Sequence, residues 1–418
     1  MQPIKKIIVV EDSSIVTKII KHILKTEASI DASFAASFAE AKSLYESMKE
    51  EVFAALVDLN LPDAPDGEVV DFMLSKKVPT VVLTGSCDEE RRERLQSKGI
   101  VDYVNKEGRY SYKYAINLVH RLYANQSIKV LVVEDSDTSR GFICQLLNRH
   151  LYQVLEARDG VEAIRVLLDN PDIKLLITDY NMPNMDGFEL VQNIRYKYEK
   201  SDLIIIGLSA EGHKGLSAKF IKNGANDFLQ KPFNHEEFHC RIMHNVESLE
   251  LIAQIRDAAN RDYLTGAYNR RYFFDVGESL YAQAKSAGTP LAAVVLDIDH
   301  FKNVNDTYGH DVGDRVLQLF SSILSETMSR FLIARTGGEE FFALLPGLDN
   351  AKAVAFVDKV RTIVAGTPID SGEEDIYISF SGGVCNQLGE TLDEQLSTTD
   401  TYLYRAKEAG RNMIIGDD

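Results

Sequence analysis

The sequence has few cysteines and no closely spaced pair of them. The chain of 418 residues contains four, at Cys87, Cys144, Cys240 and Cys385. None of them belongs to a C-x-x-C pair. This spacing indicates neither a zinc site nor a disulfide framework.

Positive charge and long apolar runs are also scarce. Lys and Arg total 46 against 63 Asp and Glu, which gives a net charge of −17. Because a nucleic-acid surface must be basic, this balance argues against nucleic-acid binding. No run approaches the roughly 18 apolar residues of a membrane span, and the start MQPIKKIIVVEDSS lacks a signal peptide's apolar region. We therefore expect a cytoplasmic protein without a membrane span, divided into roughly two to four domains.

The first part of the chain is an internal repeat. IKKIIVVEDSS at 4–14 returns as SIKVLVVEDSD at 127–137, and FAALVDLNLPDAPDG at 53–67 returns as IKLLITDYNMPNMDG at 173–187. Corresponding positions are separated by a nearly constant number of residues. Two tandem copies of one domain explain this better than a solenoid, whose units are far shorter.

Within each copy, short Val/Ile/Leu runs alternate with helical stretches such as 15–25 and 161–168. Apolar strands without polar alternation predict a parallel sheet covered on both faces, whose ligands bind at the carboxyl ends of the strands. Carboxylates crowded there would repel one another unless a divalent cation neutralised them, and a strand-end Asp could then attack a phosphoryl donor. The alternative, in which these acids only cap helices, does not explain why five positions match in both copies. Those positions are Glu11, Asp12, Asp58, Thr84 and Lys106 in copy one, and Glu134, Asp135, Asp179, Ser209 and Lys231 in copy two.

Both copies resemble, over nearly all their length, the receiver domain of two-component response regulators. The resemblance implies a flavodoxin-like, doubly wound (βα)5 fold in each copy. It also implies one Mg²⁺ per domain, and phosphorylation by a sensor histidine kinase or a phosphotransfer protein. Asp58 and Asp179 would be the phosphoacceptors. The other implied roles are metal binding by Glu11, Asp12, Asp58, Asn60, Glu134, Asp135, Asp179 and Asn181 (the two Asn through backbone carbonyls), and switching by Thr84, Lys106, Tyr103, Ser209, Lys231 and Phe228.

The two copies differ near their phosphoacceptors. Copy two has the compact loop MPNMDG and a Lys231–Pro232 pair, whereas copy one has the longer loop LPDAPDG at 61–67 and Glu107 in place of the proline. We expect these changes to alter loop geometry but not the chemistry, so that both copies can be phosphorylated.

After the repeat comes a stretch without Gly or Pro, EEFHCRIMHNVESLELIAQIRDAAN at 236–260. Its apolar residues follow helical spacing and predict a helix that completes copy two and continues as a stalk. Two arrangements remain open: a paired coiled coil, which has few heptads here, or a single helix packed on its own receiver. The apolar stripe consists of Phe238, Ile242, Val246, Leu249 and Ile252.

The sixteen residues FLIARTGGEEFFALLP at 331–346 predict a β-hairpin that turns at Gly337-Gly338. A bare glycine turn lets a phosphate approach the backbone, and Glu339 and Glu340 beside it could hold Mg²⁺ against that phosphate.

The surrounding elements predict an α+β domain with a mostly antiparallel sheet and helices on one face. They include a strand that begins at residue 290 and ends in Asp297 and Asp299, a helix at 351–364, a strand at 376–384 and a helix at 401–408. If the first strand lies beside the hairpin, Asp297 comes near Glu339, and such paired carboxylates commonly hold two Mg²⁺ for nucleotidyl transfer.

Four ordered blocks closely resemble the GGDEF (diguanylate cyclase) domain: DYLTGAYNRRYF at 262–273, DIDHFKNVNDTYGHDVGD at 297–314, RTGGEEF at 335–341 and YLYRAKEAGRN at 402–412. Glu339 stands where many members carry Asp. The resemblance implies a ferredoxin-like, palm-type fold and a homodimer that joins two GTP into cyclic di-GMP with release of two pyrophosphates.

The resemblance also assigns roles to individual residues. Two Mg²⁺ per active site would be held by Asp297, the Ile298 carbonyl and Glu339. Catalysis would rest on Glu339 as the base, with Glu340 and Lys302 assisting. GTP would be bound by Asn305, His310, Asp314, Lys407 and Arg411.

One feature of many family members is missing. The R-x-x-D motif of the inhibitory product site would fall at Met328 and Phe331, so we predict no product inhibition through that site.

We predict a receiver at 1–124, a second receiver at 125–247, a helical stalk at 248–261 and a GGDEF domain at 262–418. The leading interpretation is a phosphorylation-regulated diguanylate cyclase. The main alternative is a catalytically silent scaffold that senses GTP or cyclic di-GMP. A DNA-binding regulator is disfavoured because the chain is acidic and shows no basic recognition helix.

Overall fold

This computed structural model describes residues 5–25, 29–85, 89–210, 215–370 and 374–417. The chain folds into two compact units, Met1–Leu251 and Ile252–Asp418. Within the described ranges, no helix is both long and apolar enough to cross a membrane.

The first copy of the repeat forms a parallel sheet with the strand order β2-β1-β3-β4-β5. Its strands are apolar on both faces: Ile7 and Val9 pack into one core cluster, and Ile8 and Val10 pack into another. Helices therefore cover both faces, as the predicted doubly wound fold requires. The elements are β1 Lys5–Val10, α1 Ser14–Leu24, β2 Ile30–Ala35, α2 Phe38–Met48, a 3-10 turn Lys49–Glu51, β3 Val52–Asp58, α3 Glu68–Ser75, β4 Thr80–Thr84, α4 Glu89–Lys98, β5 Asp102–Asn105 and α5 Arg109–Asn125.

The second copy repeats this topology, with the strand order β10-β9-β8-β6-β7. Its elements are β6 Lys129–Val133, α6 Asp137–Arg149, β7 Gln153–Ala157, α7 Gly160–Asp169, β8 Ile173–Asp179, α8 Gly187–Arg195, β9 Ile204–Ala210, α9 Leu216–Lys222, β10 Asp227–Lys231 and α10 His235–Asn260.

The longer loop of copy one has a structural use. Asp63 accepts hydrogen bonds from the backbone N–H groups of Phe38 (2.9 Å) and Ala39 (3.0 Å) at the start of α2. A carboxylate at a helix N-terminus accepts hydrogen bonds from unpaired backbone donors, and its negative charge interacts favourably with the helix dipole. The loop that follows β3 is thus tied to the start of α2.

Helix α10 belongs to both units. Phe238, Ile242 and Val246 are buried in the core of copy two, and Leu249 packs against the same cluster. Beyond this point the apolar side chains emerge, since Ile255 is 60% exposed. The first part of α10 therefore packs on its own receiver, whereas pairing of the exposed part stays a prediction.

The last domain forms a mixed sheet with the order β11-β13-β14-β12-β17-β18, in which the central pairs are antiparallel and the outer pairs are parallel. Its elements are β11 Tyr268–Asn269, α11 Arg270–Ala287, β12 Leu291–Ile298, α12 Phe301–Tyr308, α13 His310–Thr327, β13 Leu332–Gly337, β14 Glu340–Pro346, α14 Asn350–Gly366, β15 Ile369–Asp370, β16 Asp375–Ile376, β17 Phe380–Cys385, α15 Leu392–Glu408 and β18 Ile414–Ile415.

The prediction that helices cover only one face of this sheet is wrong. Val294 on β12 packs with α13 and α14 in one cluster, whereas Val295 packs with α11 and α15 in another. Strand β12 is buried along its whole length, because its sequence LAAVVL has no polar alternation and must be covered on both sides.

The predicted strand at 376–384 is interrupted. Ile376 pairs with Ile369 in a separate two-stranded sheet, and pairing with the main sheet starts where Phe380 lies opposite Ile298.

Candidate functional sites

Copy one gathers the predicted acidic residues at the carboxyl ends of its strands. The carboxylates of Glu11, Asp12 and Asp58 offer oxygen atoms that all lie within 4.8 Å of one another. Among the described residues, this is the one acidic, His or Cys group that is gathered so closely. Lys106 Nζ lies 2.6 Å from Glu11 Oε2 and 2.7 Å from Asp58 Oδ2. The arrangement fits a divalent cation, because oxygen ligands converge there.

The charged groups of this site affect one another's pKa values. Burial raises the pKa of Glu11, although the Lys106 ammonium opposes that shift. Burial disfavours the charged form of Lys106, but the hydrogen bonds to Asp58 and Glu11 together outweigh the effect of burial. The pKa of Lys106 is therefore raised. Lys106 is thus held as a cation between two carboxylates.

Copy two repeats the lysine bridge. Lys231 Nζ lies 2.5 Å from Glu134 Oε2 and 2.6 Å from Asp179 Oδ1. The backbone N–H of Asn181 donates to Asp179 Oδ2 at 2.9 Å, and Asn60 makes the same contact with Asp58 at 3.2 Å. In the described part of copy two, Asp135 is exposed and does not complete as tight an acidic group as its counterpart Asp12.

The predicted switch residues lie beside these sites. Both hydroxyl-bearing residues are buried: Thr84 is the last residue of β4, and Ser209 is the penultimate residue of β9. Tyr103 and Phe228, on β5 and β10, are partly buried.

Sequence reasoning missed the partner of Tyr103. Its hydroxyl forms a hydrogen bond with Glu236 at the start of α10, and Glu236 also forms an ion pair with Arg92 on α4. The predicted switch of copy one therefore contacts the helix that leaves copy two. No local pattern could reveal this, because the residues are far apart in the sequence.

In the last domain, β12 lies beside the hairpin, as predicted. Asp297 is opposite Glu340 in the antiparallel register, and the backbone N–H of Ile298 lies 3.4 Å from the Glu339 carbonyl oxygen. Lys407 Nζ reaches from α15 to within 2.8 Å of Asp297 Oδ1. Burial raises the pKa of Asp297 against the effect of Lys407, and the nearby charge of Glu339 raises it further. Such crowding of negative charge fits a divalent cation.

Glu340 shares this environment. Its pKa is raised by burial first, and then by the charges of Asp297 and Asp400.

The turn of the hairpin is open. Gly337 and Gly338 have φ angles of 155° and 52°, and a Cβ at either position would meet no atom of the described residues within 4 Å. Arg335 stabilises the turn with two hydrogen bonds. Its Nε donates to the Gly338 carbonyl at 2.9 Å, and its NH1 group donates to Asp262 at 2.9 Å. This geometry leaves room for a bulky group such as a phosphate.

The predicted nucleotide-binding residues lie on the two helices that follow β12. Lys302 and Asn305 belong to α12, and His310 and Asp314 belong to α13. The two helices are in close contact at Asn305, because a Cβ added to Gly313 would lie 1.9 Å from Asn305 Oδ1. Arg411 lies beyond α15 and is exposed.

The sequence also placed Asp299 at the end of strand β12, but its carboxylate binds serine hydroxyls. Its carboxylate is buried and accepts hydrogen bonds from the hydroxyls of Ser379 and Ser381. Its negative charge nevertheless contributes to raising the pKa of Asp297, after burial and the charge of Glu339.

Comparison with known families matches all three domains. The response regulator receiver domain matches residues 7–111 and 130–243. The diguanylate cyclase GGDEF domain matches residues 259–413.

Individual relatives share the same domains. The chain is 30% identical over 300 residues to response regulator PleD of Caulobacter vibrioides, an alignment that covers 69% of this chain and 65% of PleD. The chain therefore spans somewhat less than two thirds of that relative. It is 36% identical over 177 residues to diguanylate cyclase DgcM of Escherichia coli, covering 42% of each.

A solved structure of a putative two-component response regulator/GGDEF domain protein is 43% identical, with a TM-score of 0.55. The match covers 59% of this chain and 99% of that one. The chain thus has two receiver matches, one GGDEF match and a solved relative with the same kinds of domain. It belongs to the family of response regulators that carry a GGDEF domain.

Proposed function

We propose that this chain is a phosphorylation-regulated diguanylate cyclase, which joins two GTP into cyclic di-GMP and releases two pyrophosphates. The observation that carries the proposal is the placement of Asp297 on β12 directly beside the open Gly337-Gly338 hairpin, with Lys407 in contact. Carboxylates, a bare glycine turn and a lysine are the parts that a nucleoside triphosphate and its metal need.

The carboxylates of all three domains are of the ligand type that magnesium prefers, and among the described residues those of copy one are gathered most closely. In the cyclase domain two Mg²⁺ would be held by Asp297, the Ile298 carbonyl and Glu339. Each receiver would hold one, through Glu11, Asp12, Asp58 and the Asn60 carbonyl, or through Glu134, Asp135, Asp179 and the Asn181 carbonyl. When bound, the metal neutralises phosphate charge and lowers the pKa of an attacking hydroxyl.

The remaining roles in the cyclase reaction belong to side chains of the chain itself. Glu339 accepts the proton of the 3′-hydroxyl, with Glu340 assisting beside it, and Lys302 stabilises the negative charge that develops on the α-phosphate. Lys407 and Arg411 bind the β- and γ-phosphates.

Guanine is read at the other end of the nucleotide. Asn305 and Asp314 hydrogen-bond the base, and His310 contacts GTP nearby. A carboxylate that accepts from the N1–H and N2–H₂ edge favours guanine, because adenine offers no such pair of donors.

The product requires a dimer. Cyclic di-GMP is two-fold symmetric, and each cyclase domain has one nucleotide site, so two domains must face each other for each 3′-hydroxyl to attack the opposite α-phosphate. Regulation follows from this requirement, because any change that brings two cyclase domains together raises the rate.

The receivers provide that control. We propose that a sensor histidine kinase or a phosphotransfer protein phosphorylates Asp58 and Asp179. The new phosphoryl oxygens are then bound by Lys106 and Thr84 in copy one, and by Lys231 and Ser209 in copy two. The contact between Tyr103 and Glu236 supports a route from copy one to the stalk helix, since movement of Tyr103 would release a residue of α10.

The proposal is tested by incubating the purified chain with GTP and Mg²⁺ and identifying products by mass spectrometry. The proposal is supported if the wild-type chain makes cyclic di-GMP and Asp297→Asn does not. The control is Asp393→Asn, which changes an exposed aspartate on α15 and should still make the product. GTP binding without any product would favour the silent scaffold instead.

A further inference from the structure

Asp299 holds the loop that follows α15. Its Oδ1 accepts from the Ser381 hydroxyl at 2.7 Å, and its Oδ2 accepts from the Ser379 hydroxyl at 2.7 Å and from the backbone N–H of Asn412 at 3.0 Å. The residue is 6% exposed. A buried carboxylate with three donors is fixed in position, because losing any of them would leave the buried charge less well compensated.

The loop that it holds has an unfavourable backbone. Gly410, Arg411 and Asn412 have consecutive φ angles of 118°, 64° and 47°. Residues other than glycine rarely adopt this region, and they persist there only when their surroundings hold them.

Two further contacts complete the hold on this loop. Arg361 on α14 donates to the Asn412 side chain at 2.8 Å, and the Arg411 N–H donates to the Ala406 carbonyl at 3.0 Å. The Arg411 side chain itself is exposed.

We infer that Asp299 is a positioning residue for the triphosphate. By holding the Asn412 N–H, it keeps the loop in the left-handed conformation that presents Arg411 toward the phosphates, while Asp297 two residues earlier faces Lys407. The two aspartates of the D-I-D sequence thus have separate tasks. The inference rests on the proposed function, which assigns Arg411 to the β- and γ-phosphates.

The test is a binding comparison with two probes, α,β-methylene-GTP, which cannot react, and GMP, which lacks the β- and γ-phosphates. Calorimetric titrations with Mg²⁺ compare the wild-type chain, Asp299→Asn, Arg411→Ala and the double variant. Asp275→Asn, an exposed aspartate on α11, is the matched control and should bind like the wild type.

We expect Asp299→Asn to weaken the triphosphate analogue about tenfold, like Arg411→Ala, and to leave GMP affinity within about twofold. The double variant should bind no more weakly than Arg411→Ala, because both changes remove one interaction. If Asp299→Asn weakened the binding of GMP and of the analogue equally, Asp299 would have only a structural role. If the affinity losses of the two single variants added up in the double variant, Asp299 would act independently of Arg411. Either result overturns the inference.

If Asp299→Asn does not fold, Ser379→Ala/Ser381→Ala removes two donors and keeps the carboxylate. It should weaken the analogue, but not GMP, by about threefold or more, and unchanged binding of the analogue would contradict the inference. A wild-type chain that binds the analogue more tightly than GMP but makes no cyclic di-GMP would contradict only the proposed function. A wild-type chain without that preference would overturn the inference itself.

Discussion

The ammonium group of Lys407 lies 2.8 Å from Oδ1 of Asp297, the penultimate residue of strand β12 beside the hairpin. Lys106 and Lys231 make the same kind of contact with the strand-end aspartates Asp58 and Asp179 of the receivers. In all three domains a lysine thus supplies positive charge to carboxylates that would otherwise repel one another. A divalent cation bound at any of these sites would therefore compete with the lysine for the same aspartate.

Changing Lys407 to Gln should affect metal and nucleotide in opposite directions. Without nucleotide, the variant should bind Mn²⁺ about three- to tenfold more tightly, because Asp297 loses its competing cation. Its affinity for GTP should fall, because a phosphate contact is lost. Manganese titrations followed by electron paramagnetic resonance measure the first effect, with Lys352→Gln, an exposed lysine on α14, as the control. Weaker Mn²⁺ binding would show that Lys407 supports the metal site instead of competing with the metal.

Gly313 should be needed for guanine recognition. Gly313→Ala would place a Cβ 1.9 Å from Asn305 Oδ1, so Asn305 must move away from the position where we propose that it reads the base. Overpacking of this kind should weaken GTP binding about tenfold or more. Equilibrium binding of GTP and ATP measures both affinity and base preference. Gly366→Ala, where no described atom lies within 4 Å of the added Cβ, should bind normally, and normal binding by Gly313→Ala would contradict the assignment of Asn305.

Product inhibition through the R-x-x-D site should be absent. Apolar side chains occupy the two positions of that motif: Met328 is fully buried, and the partly buried Phe331 packs edge-on against Phe356 with ring centroids 5.6 Å apart. Added cyclic di-GMP should therefore leave the initial rate unchanged. A tight product complex that is abolished by Met328→Ala or Arg330→Ala would show this prediction wrong.

The contact between the receivers should weaken in acid. His150 is 7% exposed and hydrogen-bonds the backbone of Val101 in copy one, and its burial lowers its pKa to about 4. Since an unfolded imidazole titrates near 6.5, its stabilising contribution is complete above that pH and is lost as the pH falls toward 4. At pH 5 the loss is about 2 kcal/mol.

Urea unfolding followed by circular dichroism at pH 7 and pH 5 tests this contribution. The wild-type chain should lose more unfolding free energy than His150→Gln over this interval, by about 2 kcal/mol. His22→Gln, on the exposed face of α1, should behave like the wild type. Equal losses in the wild type and His150→Gln would mean that His150 does not titrate as its burial requires. The neighbouring His239, whose ring centroid is 3.6 Å from that of His150, has a pKa shifted in the same direction and remains in every variant.

The parts of the fold that follow from local pattern could be predicted from the sequence. Apolar runs predicted the parallel receiver sheets, and two glycines between β-rich runs predicted the hairpin beside Asp297. The same reasoning applied to LAAVVL would have shown that β12 is covered on both faces. The roles of Asp299 and Glu236 could not be predicted, because each depends on partners that only the tertiary fold brings near.

Control of the cyclase by its receivers is tested by the rate of cyclic di-GMP formation with and without beryllofluoride, a mimic of the phosphoryl group. Wild-type chain, Asp58→Asn, Asp179→Asn and the double variant should be compared at one protein concentration. Beryllofluoride should raise the wild-type rate and have no effect on the double variant. Equal wild-type rates in both conditions would contradict control by the receivers, and no product in either would contradict the cyclase itself.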